Sequence, residues 1–291
     1  MNNHGKLIAQ GKLVQFKATD GMILHGFLSE YGKSDTCVIY VHGMGSSFYS
    51  GRLVSPFANA CHDAGYSFLS INTRGHDMEA YEKFDGNKRK GRWIGTRYEK
   101  FEESRKDIEG AVKLAKAYGY KKIFLVGHST GCQKILYYQY SMKRKIINAL
   151  VFLAPDDDYN LNRVKFGRKW MDMVRLAKTL AHAGKGNDYE RKLPFSPNRF
   201  LSVADMKNVE ARLFNYDGKM REFSSIGIPI MVVFGTLDEG AVKPVSEYVE
   251  ILKEKTAAKT FCSAIIEGAT HSFKKNENAV ASLAVKWLRS V

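Results

Sequence analysis

The chain has 291 residues, 44% of them hydrophobic, and its 45 Lys and Arg against 30 Asp and Glu give a formal net charge of +15. That apolar share excludes a disordered or collagen-like chain, and four cysteines with no CxxC pair exclude a disulfide scaffold, a zinc ribbon and a thioredoxin-type redox motif. The charge fits nucleic acid, membrane, an anionic substrate or a lysine-rich solvated surface, and alone it separates none of them.

The opening residues, MNNHGKLIAQGKLVQF, hold no apolar run of signal-peptide length. No stretch reaches the ~18 apolar residues of a membrane span. The expectation is a soluble, unexported, cytoplasmic protein, in keeping with scattered cysteines in a reducing compartment. KLVQFKAT and MILHGFLS alternate in polarity on either side of Asp20-Gly21, which predicts a hairpin. Short β-branched or aromatic runs follow at 37–41 (CVIYV), 67–71 (SFLSI), 122–126 (KIFLV), 149–153 (ALVFL) and 229–234 (PIMVVF), with a weaker one, FCSAII, at 261–266. Between them Leu53 to Gly65, Arg105 to Tyr118, Gln133 to Met142 and Val245 to Lys255 carry helical spacing. Near-continuous apolar strands alternating with helices predict an α/β fold: a mostly parallel central sheet, an antiparallel N-terminal hairpin at one edge and helices on both faces.

Two intervals break this rhythm. Residues 77–104 are charged and aromatic with no clear strand. Residues 156–226 contain an amphipathic stretch from Val164 to His182 and are expected to form a helical lid inserted into a core made of 1–155 and 227–291.

KKIFLVGHSTGCQKILYY contains Gly-x-Ser-x-Gly as Gly127, His128, Ser129, Thr130 and Gly131, between a strand ending at Val126 and a helix beginning near Thr130. A serine on such a turn needs a sterically costly backbone, so its neighbours two residues away must lack side chains. The turn puts the hydroxyl at a helix N-terminus, where negative charge is favoured. A neutral serine needs a base, and the base needs an orienting acid. Asp238 follows PIMVVF, and His271, the only histidine after His182, follows FCSAII. Glu239, beside Asp238, and Asp156, after ALVFL, are the alternative acids. An oxyanion needs two backbone donors, for which Thr130, next to the serine, and Met44, between Gly43 and Gly45, are the candidates. His42 is read as bonding loop backbone, and Arg74 and His76 as pinning the loop after the next strand.

These residues together resemble the α/β-hydrolase fold superfamily: HGMG after the third strand, TRGHD after the fourth, GHSTG at the elbow, then Asp238 and His271. The resemblance spans nearly the whole chain apart from the insertion and implies a serine hydrolase without metal or organic cofactor. More narrowly, GHSTGCQ, LAPDDD and PNRFLSV resemble the family containing the fungal siderophore (fusarinine-type) esterases, from which the chain departs in its basic 83–106 stretch and its Lys/Arg-rich insertion. The resulting expectation is hydrolysis of a small-molecule carboxylic ester by Ser129, His271 and Asp238. Amidase, thioesterase, acyltransferase or C–C hydrolysis on the same triad, or ligand binding without catalysis, stand as alternatives. His128, Trp170, Met173 and Val174 are expected to line the pocket, with Phe166, Met171 and Leu176 also facing inward. A positive rim of residues such as Arg163, Lys165, Arg168 and Lys169 is expected to favour an anionic substrate group. No finger, RNP-like string or basic zipper occurs, so no specific nucleic-acid partner is expected. The oligomeric state is left open.

Overall fold

The computed structural model describes residues 9–142 and 146–291, so the reading made of residues 1–8 lies outside the described residues. Strands β1 (Lys12–Lys17) and β2 (Ile23–Ser29) form the predicted hairpin. β3 (Thr36–Val41), helix α1 (Val54–Asp63) and β4 (Ser67–Ile71) follow. After a second hairpin, β5 (Ala80–Phe84) and β6 (Asn87–Ile94), come helix α2 (Ser104–Ala117), β7 (Lys122–His128), α3 (Thr130–Met142) and β8 (Ala149–Leu153). Five helices then intervene: α4 (Asp158–Phe166), α5 (Trp170–His182), α6 (Pro197–Ala204), α7 (Glu210–Leu213) and α8 (Arg221–Ser224). The chain closes with β9 (Ile230–Leu237), α9 (Val245–Lys255), β10 (Phe261–Thr270) and α10 (Glu277–Leu288).

The main sheet has the order β1-β2-β4-β3-β7-β8-β9-β10; β2 is antiparallel to both neighbours, and the run from β4 to β10 is parallel. Alternation along the strands explains the two helix layers. Cys37, Ile39, Val41, Ile123 and Leu125 point into a core shared with α2, α3 and α9, while Val38, Tyr40, Phe124 and Val126 point into one shared with α1 and α10. Both faces are buried, which is why the strands read as unbroken apolar runs. α10, with no counterpart among the predicted helices, buries Val280, Ala281, Ala284, Val285 and Leu288 in the second core. β3 lies between β4 and β7, so chain crossings leave it in opposite directions and open a crevice at the strands' C-terminal ends.

One sequence expectation is corrected, and the expected insertion is seen to pack in two parts. The 77–104 interval holds β5 and β6, joined through the two residues Asp85-Gly86 and cross-strand paired at Tyr81 and Trp93, whose rings are 5.6 Å apart edge to face. No apolar run announced it because neither β5 face is fully buried. The insertion expected as one lid over 156–226 divides. Trp170, Ala177, Leu193, Phe200 and Ala204 of the α4–α6 part form their own cluster. Leu213, Phe214, Tyr216, Met220, Phe223 and Ile226 instead fill the main core, with Phe214 5.4 Å from Phe152 of β8. The predicted stretch from Val164 to His182 is also broken, at Gly167, which separates α4 from α5. No helix among the described residues is long and apolar enough to cross a membrane.

Arg74, fully buried in the loop after β4, gives Nε and Nη2 to Asp107 of α2 and Nη1 to Asp20 and Glu103. It thereby ties the first hairpin and α2 to the loops around the crevice. Removing one member of a buried ion pair strands the other charge, whereas exposed pairs contribute little. Arg74→Met is expected to lower the unfolding free energy by about 3–5 kcal/mol in urea denaturation. Arg175→Met, which breaks the exposed Arg175–Asp172 pair, is expected to leave the unfolding midpoint nearly unchanged.

Candidate active site

β7 passes into α3 through Ser129, whose φ of 55° is left-handed, a conformation that side-chain-bearing residues rarely adopt. The turn closes because its flanking glycines leave room: a Cβ on Gly131 would lie 2.2 Å from the Val41 carbonyl oxygen, and one on Gly127 2.5 Å from the Gly131 backbone. Ser129 N–H donates to the Leu153 carbonyl at 2.9 Å, fastening the elbow to β8. Thr130 opens α3, so its N–H lacks an intrahelical acceptor.

The loop after β3 packs onto this serine. A Cβ on Gly43 would sit 2.9 Å from Ser129 Cβ. His42 is buried, and burial together with the nearby Lys134 charge holds its pKa well below the usual histidine range. Its Nε2 accepts the Thr73 N–H at 3.1 Å, which fixes the proton on Nδ1, and Nδ1–H donates to the Gly43 carbonyl at 2.8 Å. Because C=O and N–H of a trans peptide point in opposite directions, anchoring the Gly43 oxygen turns the Met44 N–H the other way. Behind this loop Lys134 of α3 is fully buried, with Nζ on Thr73 Oγ1 at 3.0 Å and on Glu99 at 2.8 Å. Arg199 and Glu210, also buried, continue the network into α6 and α7.

His271, just after β10, meets every acid that the sequence offered, each at a different atom. Nδ1–H donates to Asp238 Oδ1 at 2.9 Å, an oxygen that also accepts Gly240 N–H at 2.9 Å. The backbone N–H donates to Glu239 Oε2 at 2.8 Å, so Glu239 holds the loop and not the ring. Nε2 lies 3.3 Å from Asp156 Oδ2, and the Ser129 hydroxyl lies near enough to the same carboxylate to favour its charged form. Burial opposes charge on His271, yet Asp156, then Asp238 and Glu239, raise its pKa to about 9. Burial pushes Asp156 up to about 7, against the pull of His271. The resting site is thus an imidazolium held between two carboxylates beside a serine. Such a group can exchange a proton with a hydroxyl once Nε2 is released from Asp156.

Among the described residues, Asp156, Asp238 and His271 are also metal-type donors whose nearest atoms lie within 4.8 Å of one another. Each ring nitrogen already faces its own carboxylate, and hydrogen bonding accounts for the arrangement without an ion.

The residues expected to line the pocket have these surroundings. His128 spends its Nε2–H on the His271 carbonyl at 2.9 Å and is kept neutral, its pKa lowered to about 4 by burial and by the His271 charge. It therefore positions the histidine loop. Trp170, Met173 and Val174 pack with the α4–α6 cluster, where Trp170 lies edge-on to Phe200 at 5.5 Å; Phe166 and Leu176 pack there too, and Met171 is exposed. An insertion of this size must bury its own apolar residues before it can offer any to a ligand. Arg163, Lys165, Arg168 and Lys169 are exposed, as long cationic side chains are when nothing buried pairs with them. The charges that face His271 are carboxylates. Lys134 and its network were not anticipated; a lysine in register with Ile135 and Tyr138 on the buried face of GCQKILYY was the available signal.

The model of the family described as protein of unknown function (DUF1749) matches residues 6–290. A UPF0613 protein of Schizosaccharomyces pombe is 22% identical over 282 residues, covering 86% of this chain and 84% of the relative. Among solved structures, Est1E from Butyrivibrio proteoclasticus superposes with a TM-score of 0.62 at 19% identity over 97% of this chain and 98% of its own. The Pyrococcus furiosus esterase Pf2001 gives 0.61 at 20% identity over 97% and 93%. The carboxylesterase CesB of Bacillus subtilis gives 0.57 at 15% over 95% and 90%. These likenesses establish the α/β-hydrolase fold.

An NMR titration of the histidine rings reads the site's electrostatics directly. His271 is expected to titrate near about 9 and His128 near about 4. Asp156→Asn, by removing the foremost charge that raises it, is expected to shift the His271 midpoint downward; a midpoint unmoved in that variant contradicts the pairing.

Proposed function

The chain belongs to the DUF1749 family, and from that premise we propose that it is a serine hydrolase that cleaves a small-molecule carboxylic ester, with Ser129 as nucleophile, His271 as base and Asp238 as orienting acid. The observation that carries this reading is the His271 ring, fixed at Nδ1 by Asp238 while Nε2 faces Asp156, the carboxylate beside the Ser129 hydroxyl. Asp238 selects the tautomer and stabilises the imidazolium; Nε2 is the atom that does proton work.

In the proposed reaction neutral His271 takes the Ser129 proton as Oγ bonds to the ester carbonyl carbon, and the carbonyl π pair moves onto oxygen. That oxyanion is received by the Met44 and Thr130 N–H groups; one such donor is worth about 2.7–4 kcal/mol in the barrier. As the C=O re-forms, the C–O bond to the alcohol breaks and His271 gives its proton to the leaving oxygen. Water then attacks the acyl-serine, losing a proton to His271, which returns it to Ser129. This chemistry asks for no cofactor.

Names of the structural neighbours, esterase and carboxylesterase, support the ester over other acyl substrates. So does the resemblance of GHSTGCQ, LAPDDD and PNRFLSV to the siderophore esterase family. The α4–α6 segment, with a cluster of its own, is proposed as the lid that shapes substrate access.

Ser129→Ala is expected to abolish covalent labelling by a fluorophosphonate and to lower kcat on a short-chain chromogenic ester by about 10⁵-fold or more. Full activity in that variant overturns the assignment, and failure of the wild-type protein to label points to ligand binding without catalysis.

A further inference from the structure

Asp156 is not needed to orient His271, because Asp238 already does so through Nδ1. It is nonetheless built in with care. The Pro155 carbonyl accepts the Tyr216 hydroxyl at 2.7 Å, and the Asp156 carbonyl accepts Gln133 Nε2 at 3.0 Å. Tyr216 is itself stacked on Tyr248 with centroids 3.9 Å apart. The next residue, Asp157, caps α4 by accepting the Asn160 N–H. The Asp156 carboxylate then lies against Gly240, where a Cβ would come within 2.5 Å of Oδ1. A backbone this thoroughly held delivers a buried carboxylate to one place, against His271 Nε2 and beside the Ser129 hydroxyl.

That contact poses a problem for the reaction. For His271 to serve Ser129, Nε2 must leave Asp156 and meet the serine hydroxyl. The ionic partner of a carboxylate that is only 6% exposed is then withdrawn, and a bare buried charge is costly. A neutral acyl chain entering the site leaves Asp156 to bear that cost or to take a proton, and an anionic one adds repulsion. A substrate that brings its own cation to Asp156 removes the cost and frees His271 in the same step.

We propose that Asp156 is the specificity-determining residue of this site and that the preferred ester carries an ammonium group on the first or second carbon from the scissile carbonyl. The placement follows from reach: a group hydrogen-bonded to a carboxylate beside the nucleophile lies within about 4–5 Å of the carbon under attack. The inference rests on the esterase reading above and supplies its substrate class. It runs opposite to surface steering, since a chain of net charge +15 draws anions from afar. The selecting charge is internal, and salt screens a buried pair far less than a surface field.

The test compares three esters of matched size in a pH-stat at about pH 8, where an ammonium of this kind is protonated: ethyl 3-aminopropanoate, ethyl butanoate and monoethyl malonate. Wild-type kcat/KM is expected to be higher for the ammonium ester than for its neutral isostere by about tenfold or more, lowest for the anionic ester, and ordered the same way at high salt. Asp156→Asn is expected to bring the ammonium-to-neutral ratio to near unity, and Asp156→Glu to retain part of the preference. A wild-type ratio at or below one, no turnover of the ammonium ester by protein that still labels at Ser129, or a preference that survives Asp156→Asn overturns the inference. Absence of labelling together with no cleavage of any ester overturns instead the esterase reading on which it stands.

Discussion

A parallel strand and the helix that follows it normally need a loop between them; here β7 becomes α3 across one residue, and that abrupt reversal is the constraint from which the site follows. It forces Ser129 into a left-handed backbone, a conformation kept only where the surroundings over-determine it. The surroundings do so with the Leu153 carbonyl on one side and with a helix close enough to Val41 that only glycine fits at 131. The same close approach brings the loop after β3 onto the serine. Its buried His42 is locked as one tautomer between Thr73 and Gly43.

The second organising element is electrostatic. The molecule as a whole is strongly basic, yet His271 is met by Asp156, Asp238 and Glu239. The three acids are not interchangeable. Each meets a different atom of His271 because each arrives on a different loop or at a different step of the same loop, and the division of labour is geometric: one orients the ring, one holds the backbone and one faces the working nitrogen. Burial decides the rest. It keeps His42 and His128 neutral, so both act as hydrogen-bonding struts, while the acids outweigh it at His271 and leave that ring cationic at rest.

Much of this was legible in the residue order. The parallel strands read as apolar runs because both sheet faces are buried, and the elbow was marked by two glycines whose spacing has a steric cause. Asp238 and His271 stood out because an acid after one C-terminal apolar run and the only histidine after His182, following the next run, stand where the orienting acid and the base were expected. What was not legible depended on partners distant in sequence. Nothing in HGMGSS or INTRGHD says that Thr73 would meet His42, or that Lys134 and Arg199 would be neutralised in the interior by Glu99 and Glu210. That Trp170 and Val174 pack with the α4–α6 cluster was not legible, because helical periodicity reports that a face is buried without reporting against what. β5 escaped notice because one of its faces is exposed and the other only partly buried, so it lacks an apolar pattern. Asp156 was visible as a candidate acid, but only the folded chain puts it on Nε2 while Asp238 takes Nδ1.

The account's central claim is that the left-handed Ser129, the Nε2 of His271 and two backbone N–H groups converge on one reacting carbon. A crystal structure of the protein after reaction with a small alkyl fluorophosphonate tests it most directly. The account predicts a bond from Ser129 Oγ to phosphorus, the phosphoryl oxygen within hydrogen-bonding distance of the Met44 and Thr130 N–H groups, and His271 Nε2 turned from Asp156 toward the adduct. Phosphorus on another side chain, or a phosphoryl oxygen directed away from both N–H groups, contradicts it.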